Sequence, residues 1–247
     1  VGRTYNHQPY LAYWNGKFYL QFLSAEYQEH TPPACVVLTT SEDGILWEFP
    51  QVLFPDYELP EIKWEGYTIP AGTKAVMHQR MGFYTTESGK LLASGFYSYC
   101  ATPRHSPNAG NGLGRVIREI KEDGSFGPVY FIRYNRHAGW NEENTHFPFY
   151  KESKDRKFVK DCEELLENKL VTLQWWEEDR SKDGFYVIDP ADVSGATFFD
   201  ANMTTSGGAG KSLSTYRRPD GVIVGLWKNQ FAALSDDEGE SWTPIGK

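Results

Sequence analysis

Cysteine is scarce in this chain, with Cys35, Cys100 and Cys162 the three examples in 247 residues. Their number is odd and no CxxC spacing occurs, which argues against a disulfide frame or a zinc site and for small buried hydrophobes. A basic excess is missing as well. The net charge is −8, whereas nucleic acid or an anionic membrane surface calls for a basic face. A local cluster of cations can still hold an anionic small substrate. No apolar run reaches the roughly 20 residues of a bilayer span. The opening VGRTYNHQPY lacks the basic end and apolar stretch of a signal peptide, so an exported form would already have shed its signal. Short metal motifs such as HxH or HExxH are absent, and no loop has the calcium-binding pattern.

What the chain has is aromatic side chains: 8 Trp, 15 Tyr and 15 Phe, or 15% of the residues. They suit sheet packing and stacking on sugar rings, and packing accounts for most of them. With 40% hydrophobic residues the chain can bury a core without dividing into many domains.

An internal repeat organises the whole. YLAYW, a turn at Asn15-Gly16, KFYLQFL, CVVLTTS, a turn at Asp43-Gly44 and LWEF give four strand-like pieces in series. Asn-Gly is a strong hairpin signal, and four antiparallel strands in series form one propeller blade. MGFYTT, a turn at Ser88-Gly89, LLASGFY, RVIREI, a turn at Asp123-Gly124 and PVYFI repeat the order. A third copy starts at FPFYKES, turns near Asp155, and is interrupted by FVKDCEELLENKL, where Phe158, Cys162, Leu165, Leu166 and Leu170 share one helical face. It resumes with VTLQWW and FYVID. LSTYRR, a turn at Asp220-Gly221, VIVGLW and FAALS make a fourth. The expected fold is an all-β propeller of four-stranded antiparallel blades, near residues 8–50, 78–133, 146–190 and 211–247, with one short helical insertion. Propellers close with about four to eight blades, so the four visible here are expected to form part of a larger ring.

Ser235, Asp237, Gly239, Ser241 and Trp242 spell a complete Asp-box, the turn between outer strands of sialidase-like blades, and Ser41, Asp43, Gly44 and Trp47 a version one residue short. Asp and Ser in such a turn hydrogen-bond its backbone while Trp packs between blades. The box identifies architecture and leaves activity open.

Aligned on their first turns, the copies place His7, His78 and His146 at one position, 71 and then 68 residues apart, with Lys211 a further 65 on. First strands line a propeller's channel, so these residues are expected to converge near the axis. His30 and His105 fall in loops between second and third strands, and His137 precedes the third copy, which maps all six histidines to the face opposite the Asp-boxes. Arg80, Arg104, Trp140 and Lys211 join them. His30 and His137 read as ordinary solvated loop residues, and the pairs Glu142-Glu143, Glu163-Glu164 and Glu177-Glu178 as solvated faces. His7, His78 and His146 read as a site, because clustering titratable rings beside cations is costly.

Imidazoles with cations and no evident pair of facing carboxylates suit β-elimination from a uronate. Cations neutralise the carboxylate, a histidine or tyrosine removes the C5 proton, and another acid protonates the departing O4. Hydrolysis normally asks for two positioned carboxylates, and Glu142, Glu143 and Asp200 keep that route open. Three histidines from separate strands also fit an open zinc site, without a supporting motif.

The segments NHQPYLAYWNGKFYLQFL, MHQRMGFY and GLGRVIREIKEDGSFGPVYFIRYN, with the Asp-boxes, resemble bacterial sialidase-like propellers acting on rhamnose-capped glucuronate: rhamnose–α-1,4-glucuronate lyases and related α-L-rhamnosidases that trim arabinogalactan. The resemblance implies a seven-bladed ring and an exo-acting lyase. It also implies a periplasmic or secreted location and a plant-type acidic glycan as partner. A monomer with no required cofactor is expected, and a calcium ion filling the channel is an open alternative that no loop motif supports. By position it nominates His78, His105 and His146 as catalytic, with His7, Arg80, Arg104, Trp140 and Lys211 holding substrate. Other readings are a hydrolase of the same linkage and a non-catalytic glycan-binding propeller. True sialidases resemble the chain in the Asp-box, yet their Arg-Ile-Pro element is absent and their Tyr-Glu nucleophile pair is not recognisable in the sequence.

Overall fold

The computed structural model describes residues 2–29, 31–64, 66–100, 112–172, 175, 214–227, 231–239 and 241–243. They belong to two compact units, 1–164 and 165–247, each considered by itself.

The first unit holds two four-stranded antiparallel sheets. β1 (Tyr5–Trp14), β2 (Lys17–Ala25), β3 (Cys35–Ser41) and β4 (Gln51–Phe54) pair in that order. A hairpin, β5 (Ile62–Trp64) and β6 (Tyr67–Ile69), precedes the second sheet of β7 (Val76–Thr85), β8 (Leu91–Ser98), β9 (Gly112–Ile120) and β10 (Tyr130–Tyr134), again paired in series. Asn15 and Gly16 take φ of 47° and 79°, the left-handed pair of a type I′ hairpin turn.

One face of the first sheet packs on the second. Trp14, Tyr19, Leu23, Val36, Leu53 and Phe54 meet Met77, Ala93, Val116, Ile120 and Phe131 in one buried cluster. Full burial stabilises each large apolar side chain by roughly 1.5–3 kcal/mol. Gly95 permits the close approach: a Cβ there would stand 2.7 Å from Met77 Cε and 3.1 Å from Phe54. Polar ties fix the alignment. Gln21 Nε2 donates to the Gly82 carbonyl at 2.6 Å, Trp14 Nε1 to Gly89 O at 2.9 Å, and the Met77 amide to Ala34 O at 2.9 Å. The opposite face is open, leaving Leu11 62%, Tyr13 63% and Val52 53% exposed.

Several elements depart from expectation. The fourth strand of the first sheet is Gln51–Phe54, and LWEF lies in the turn before it. There Asp43 Oδ1 accepts the amides of Ile45 and Leu46 at 2.8 Å, committing that stretch to the turn. FPFYKES forms one parallel bridge, Phe149 to Phe131, and then a 3-10 turn over Tyr150–Glu152 instead of a blade strand. Asp155 is no hairpin turn: its carboxylate accepts the Lys157 and Phe158 amides at 2.9 and 3.1 Å, capping α1 (Arg156–Glu167). Phe158, Val159, Cys162 and Leu165 are its buried stripe. Leu170 belongs to α2 (Lys169–Thr172), separated where the Asn168 carboxamide accepts the Val171 amide at 3.2 Å. The start of VTLQWW is therefore helical.

The second unit contains an antiparallel sheet of β11 (Ser214–Arg217), β12 (Ile223–Trp227) and β13 (Phe231–Ser235). The Asp-box follows β13. Asp237 accepts the Ser241 amide at 2.8 Å and the Ser241 hydroxyl at 2.6 Å, while Ser235 Oγ takes the Gly239 amide at 2.9 Å. These bonds hold the Asp237 carboxyl down at about 2. In the shorter box Ser41 and Asp43 bond the turn in the same way, but Trp47 remains 36% exposed.

Candidate functional site

β1 carries Tyr5 and His7 two residues apart, hence on one face of the strand. The base of the loop after β2 is pinned beside them. The Thr4 amide and hydroxyl donate to Glu26 O at 3.0 and 2.6 Å, and Arg3 Nη1 donates to Ser24 O at 2.7 Å. That loop places Glu29 over both side chains. Tyr5 Oη donates to Glu29 Oε2 at 3.3 Å, His7 Nε2 lies 3.5 Å from the same oxygen, and the two rings are 5.7 Å apart. Burial, reinforced by the Glu29 charge and hydrogen bond, raises the Tyr5 phenol above its usual range. The phenol therefore stays protonated until a base accepts its proton, and Glu29 is in place to do so. The half-buried Cys100 lies within this carboxylate's field, and burial first, then Glu29, pushes its thiol up to about 12. It is no thiolate nucleophile.

Both His-Gln pairs sit at irregularities of their first strands. The β1–β2 register breaks between His7 and Tyr10, and the β7–β8 register between His78 and Gly82. Extra residues in one strand bend it and re-aim its side chains, a device common beside active sites. Gln8 takes a φ of 49° there.

His78 occupies the register row His78–Phe96–Arg115–Arg133 across the second sheet. Arg115 is fully buried with its guanidinium 5.2 Å from the Phe96 ring centre, and Arg133 is buried opposite it. Neither arginine stood out in the sequence, although Arg115 inside the otherwise apolar stretch GLGRVI was a readable signal.

His146 has separate surroundings. Its amide donates to Tyr57 Oη at 2.9 Å, its Nε2 lies 3.2 Å from Glu58 O, and its ring sits 5.1 Å from that of Tyr57. The partners of His7 and His146 are thus different residues. Trp140, expected on the substrate face, is instead 5% exposed in the core, its ring 6.4 Å from Tyr99. Its place in the connection before the third copy mapped it to the histidine face, but the chain turns its ring inward. Of His78 and Arg80 the backbone on β7 is described, and of His137 the backbone of a 3-10 turn. His30, Arg104, His105, Asp200 and Lys211 lie outside the described residues.

Of the acidic pairs, Glu177-Glu178 lies outside the described residues, and the other two differ from solvated faces at one residue each. Glu142 accepts Arg136 through both oxygens, at 3.2 and 2.7 Å. Glu164 Oε1 accepts Tyr84 Oη at 2.8 Å and the Glu87 amide at 2.9 Å, tying α1 to the second sheet. Among the described residues no three His, Cys, Asp or Glu side chains are grouped to hold a metal ion, and no helix is long and apolar enough to cross a membrane.

A carboxylate shared by a phenol and an imidazole, at the end of a propeller-type sheet, can activate a tyrosine. Sequence reasoning missed Tyr5 and Glu29 because 24 residues separate them; the readable signal was Tyr5 standing two places before His7.

Among solved structures the chain is similar to one described as a sialidase, at 43% identity and a TM-score of 0.84 over its whole length, which is 21% of that relative's chain. It thus spans about a fifth of that protein. Weaker likenesses are a Dyadobacter fermentans protein of unknown function (14% identity, TM-score 0.49, all of this chain and 70% of that one) and a Bacillus halodurans xylan β-1,4-xylosidase (11%, 0.33, 97% and 30%). No curated protein sequence matches. Residues 1–191 match the family described as BT_1020-like, N-terminal beta propeller, and the chain, a sialidase-like β-propeller, belongs to that family.

Proposed function

We propose that this propeller carries part of a glycoside hydrolase site for an acidic glycan, with Tyr5 as nucleophile and Glu29 as its base. The observation behind this reading is the convergence of Tyr5 Oη and His7 Nε2 on a single oxygen of Glu29. Glu29 accepts the phenol proton as Tyr5 oxygen bonds to the anomeric carbon. The glycosidic C–O bond breaks, and its oxygen takes a proton from a second acid, for which His78 and His105 are the candidates. Water, giving its proton to the histidine that protonated the leaving group, then displaces the tyrosine, whose oxygen recovers its proton from Glu29 as the sugar is released. His7 positions the carboxylate. The sialidase name of the 43% identical structure supports a sugar acid as the group removed.

A second reading is β-elimination at a rhamnose–α-1,4-glucuronate cap, which the adjacency of Tyr5 and His7 favours, a phenol and an imidazole being a usable base and acid. It requires Arg80 or Arg104 to neutralise the uronate. The raised phenol of Tyr5 counts against it as a free base.

A rhamnose-capped glucuronate oligosaccharide and a panel of sugar-acid glycosides, incubated with the protein, distinguish the readings. Hydrolysis releases free sugar without new ultraviolet absorbance. Elimination produces the C4–C5 double bond and its absorbance. Binding without turnover of any of them would identify a glycan-binding propeller and remove both enzyme readings.

A further inference from the structure

The turn end of the second sheet carries a cleft that shares no residue with the Tyr5–His7–Glu29 cluster. β9 runs away from the histidine end and delivers Glu119 and Lys121 there; Tyr130 opens β10; and the segment entering α1 adds Lys154, Asp155 and Phe158. They line a cavity of about 480 Å³, within the size range of small-ligand sites. Its apolar wall is the half-buried Tyr130, whose ring centre lies 5.2 Å from that of buried Phe158.

The polar wall is prearranged. Lys90 Nζ, itself largely buried, reaches Glu119 Oε2 at 3.4 Å and Asp155 Oδ2 at 3.3 Å, and so holds two carboxylates from two elements at fixed positions. Glu119, Glu152 and Asp155 line the cleft against Lys121 and Lys154, and Lys90 also reaches the buried Asp161 Oδ2 at 3.6 Å, so carboxylates outnumber ammonium groups by one. An anion is offered no net attraction there, whereas a neutral polyol meets donors, acceptors and an aromatic wall together.

We propose that this cleft binds a neutral pyranose unit of a glycan, its apolar face on Tyr130 and its hydroxyls shared between Glu119 and Lys121. The site anchors a glycan at the end of the sheet opposite the proposed reaction centre, and it stands whether or not Tyr5 and Glu29 hydrolyse anything.

Titration of the protein with neutral methyl pyranosides and with methyl glucuronide, followed by NMR shifts and calorimetry, tests it. Neutral glycosides should saturate one site and outbind the glucuronide there. Tyr130→Phe should retain that binding, Tyr130→Leu should weaken it roughly tenfold through loss of the ring, and Tyr5→Phe should leave it unchanged. Lys121 is exposed, so Lys121→Ala tests the polar wall without endangering the fold and should weaken binding by a smaller factor. The proposal is overturned if no neutral glycoside saturates the protein, if the glucuronide binds more tightly, or if both Tyr130→Leu and Lys121→Ala bind as the parent does.

Discussion

The first sheet (Tyr5–Phe54) and the second (Val76–Tyr134) are built alike through their middles and differ at their ends. Each pairs four strands in chain order, closes its first hairpin with a positive-φ glycine, Gly16 or Gly89, and breaks register beside a His-Gln pair. At the histidine end the first sheet adds Tyr5 and Glu29. At the turn end it has an Asp-box, where the second has Asp123 accepting the Ser125 amide and hydroxyl at 2.9 and 2.6 Å, beside the Tyr130 cleft. Strand middles are constrained by ladder pairing and a shared core, so the repeat persists there. Loops answer to neither and carry the differences.

The sharpest way to break the comparison is to remove what the first sheet has alone. Glu29→Gln should lower turnover by about 10²–10⁴-fold with the thermal unfolding midpoint unchanged. A variant as active as the parent would take the reaction away from this end of the molecule. Next comes the core the sheets share. Phe54→Ala should cost about 3–5 kcal/mol in denaturant unfolding, because Phe54 is fully buried between the sheets. Val52→Ala on the open face should stay within about 0.5 kcal/mol. Equal costs would mean that the open face is covered in solution. A smaller effect is expected of Gly95→Ala, at about 1–3 kcal/mol, as its methyl group must displace Met77 Cε.

The smallest effect concerns the Asp-box in the second unit. The Asp237 carboxyl titrates at about 2 in the folded chain, against about 3.9 when unfolded. A depressed carboxylate contributes stability that is complete above the unfolded value and is lost as pH falls through 4 towards 2. Thermal melts across that window should show a slightly shallower acid loss for Asp237→Asn than for the parent; identical profiles would mean that the box contributes nothing to acid stability.

Blade order was legible because its signals are local. Alternating apolar residues, Asn15-Gly16, Ser88-Gly89 and the Asp-boxes state strands and turns within a few residues of themselves. The third copy misled for the same reason: FPFYKES has strand composition, but Asp155 caps a helix five residues after Tyr150, and capping excludes the ladder. The candidate site was half legible. His7 was found by its recurrence, whereas Tyr5 and Glu29 do not recur and become neighbours only across the β2 hairpin. Trp140 shows the converse, since its connection maps to the histidine face while the chain path turns its ring into the core.

By itself the amino-acid sequence determined the antiparallel sheets, their turns and the sialidase-like box, since each depends on near neighbours and period-two patterning. Tertiary structure alone decided which carboxylate meets the tyrosine, which tryptophan is buried and where the Tyr130 cleft opens. Those outcomes depend on how separate strands and loops pack, and contacts between distant segments leave no periodic trace in a single chain.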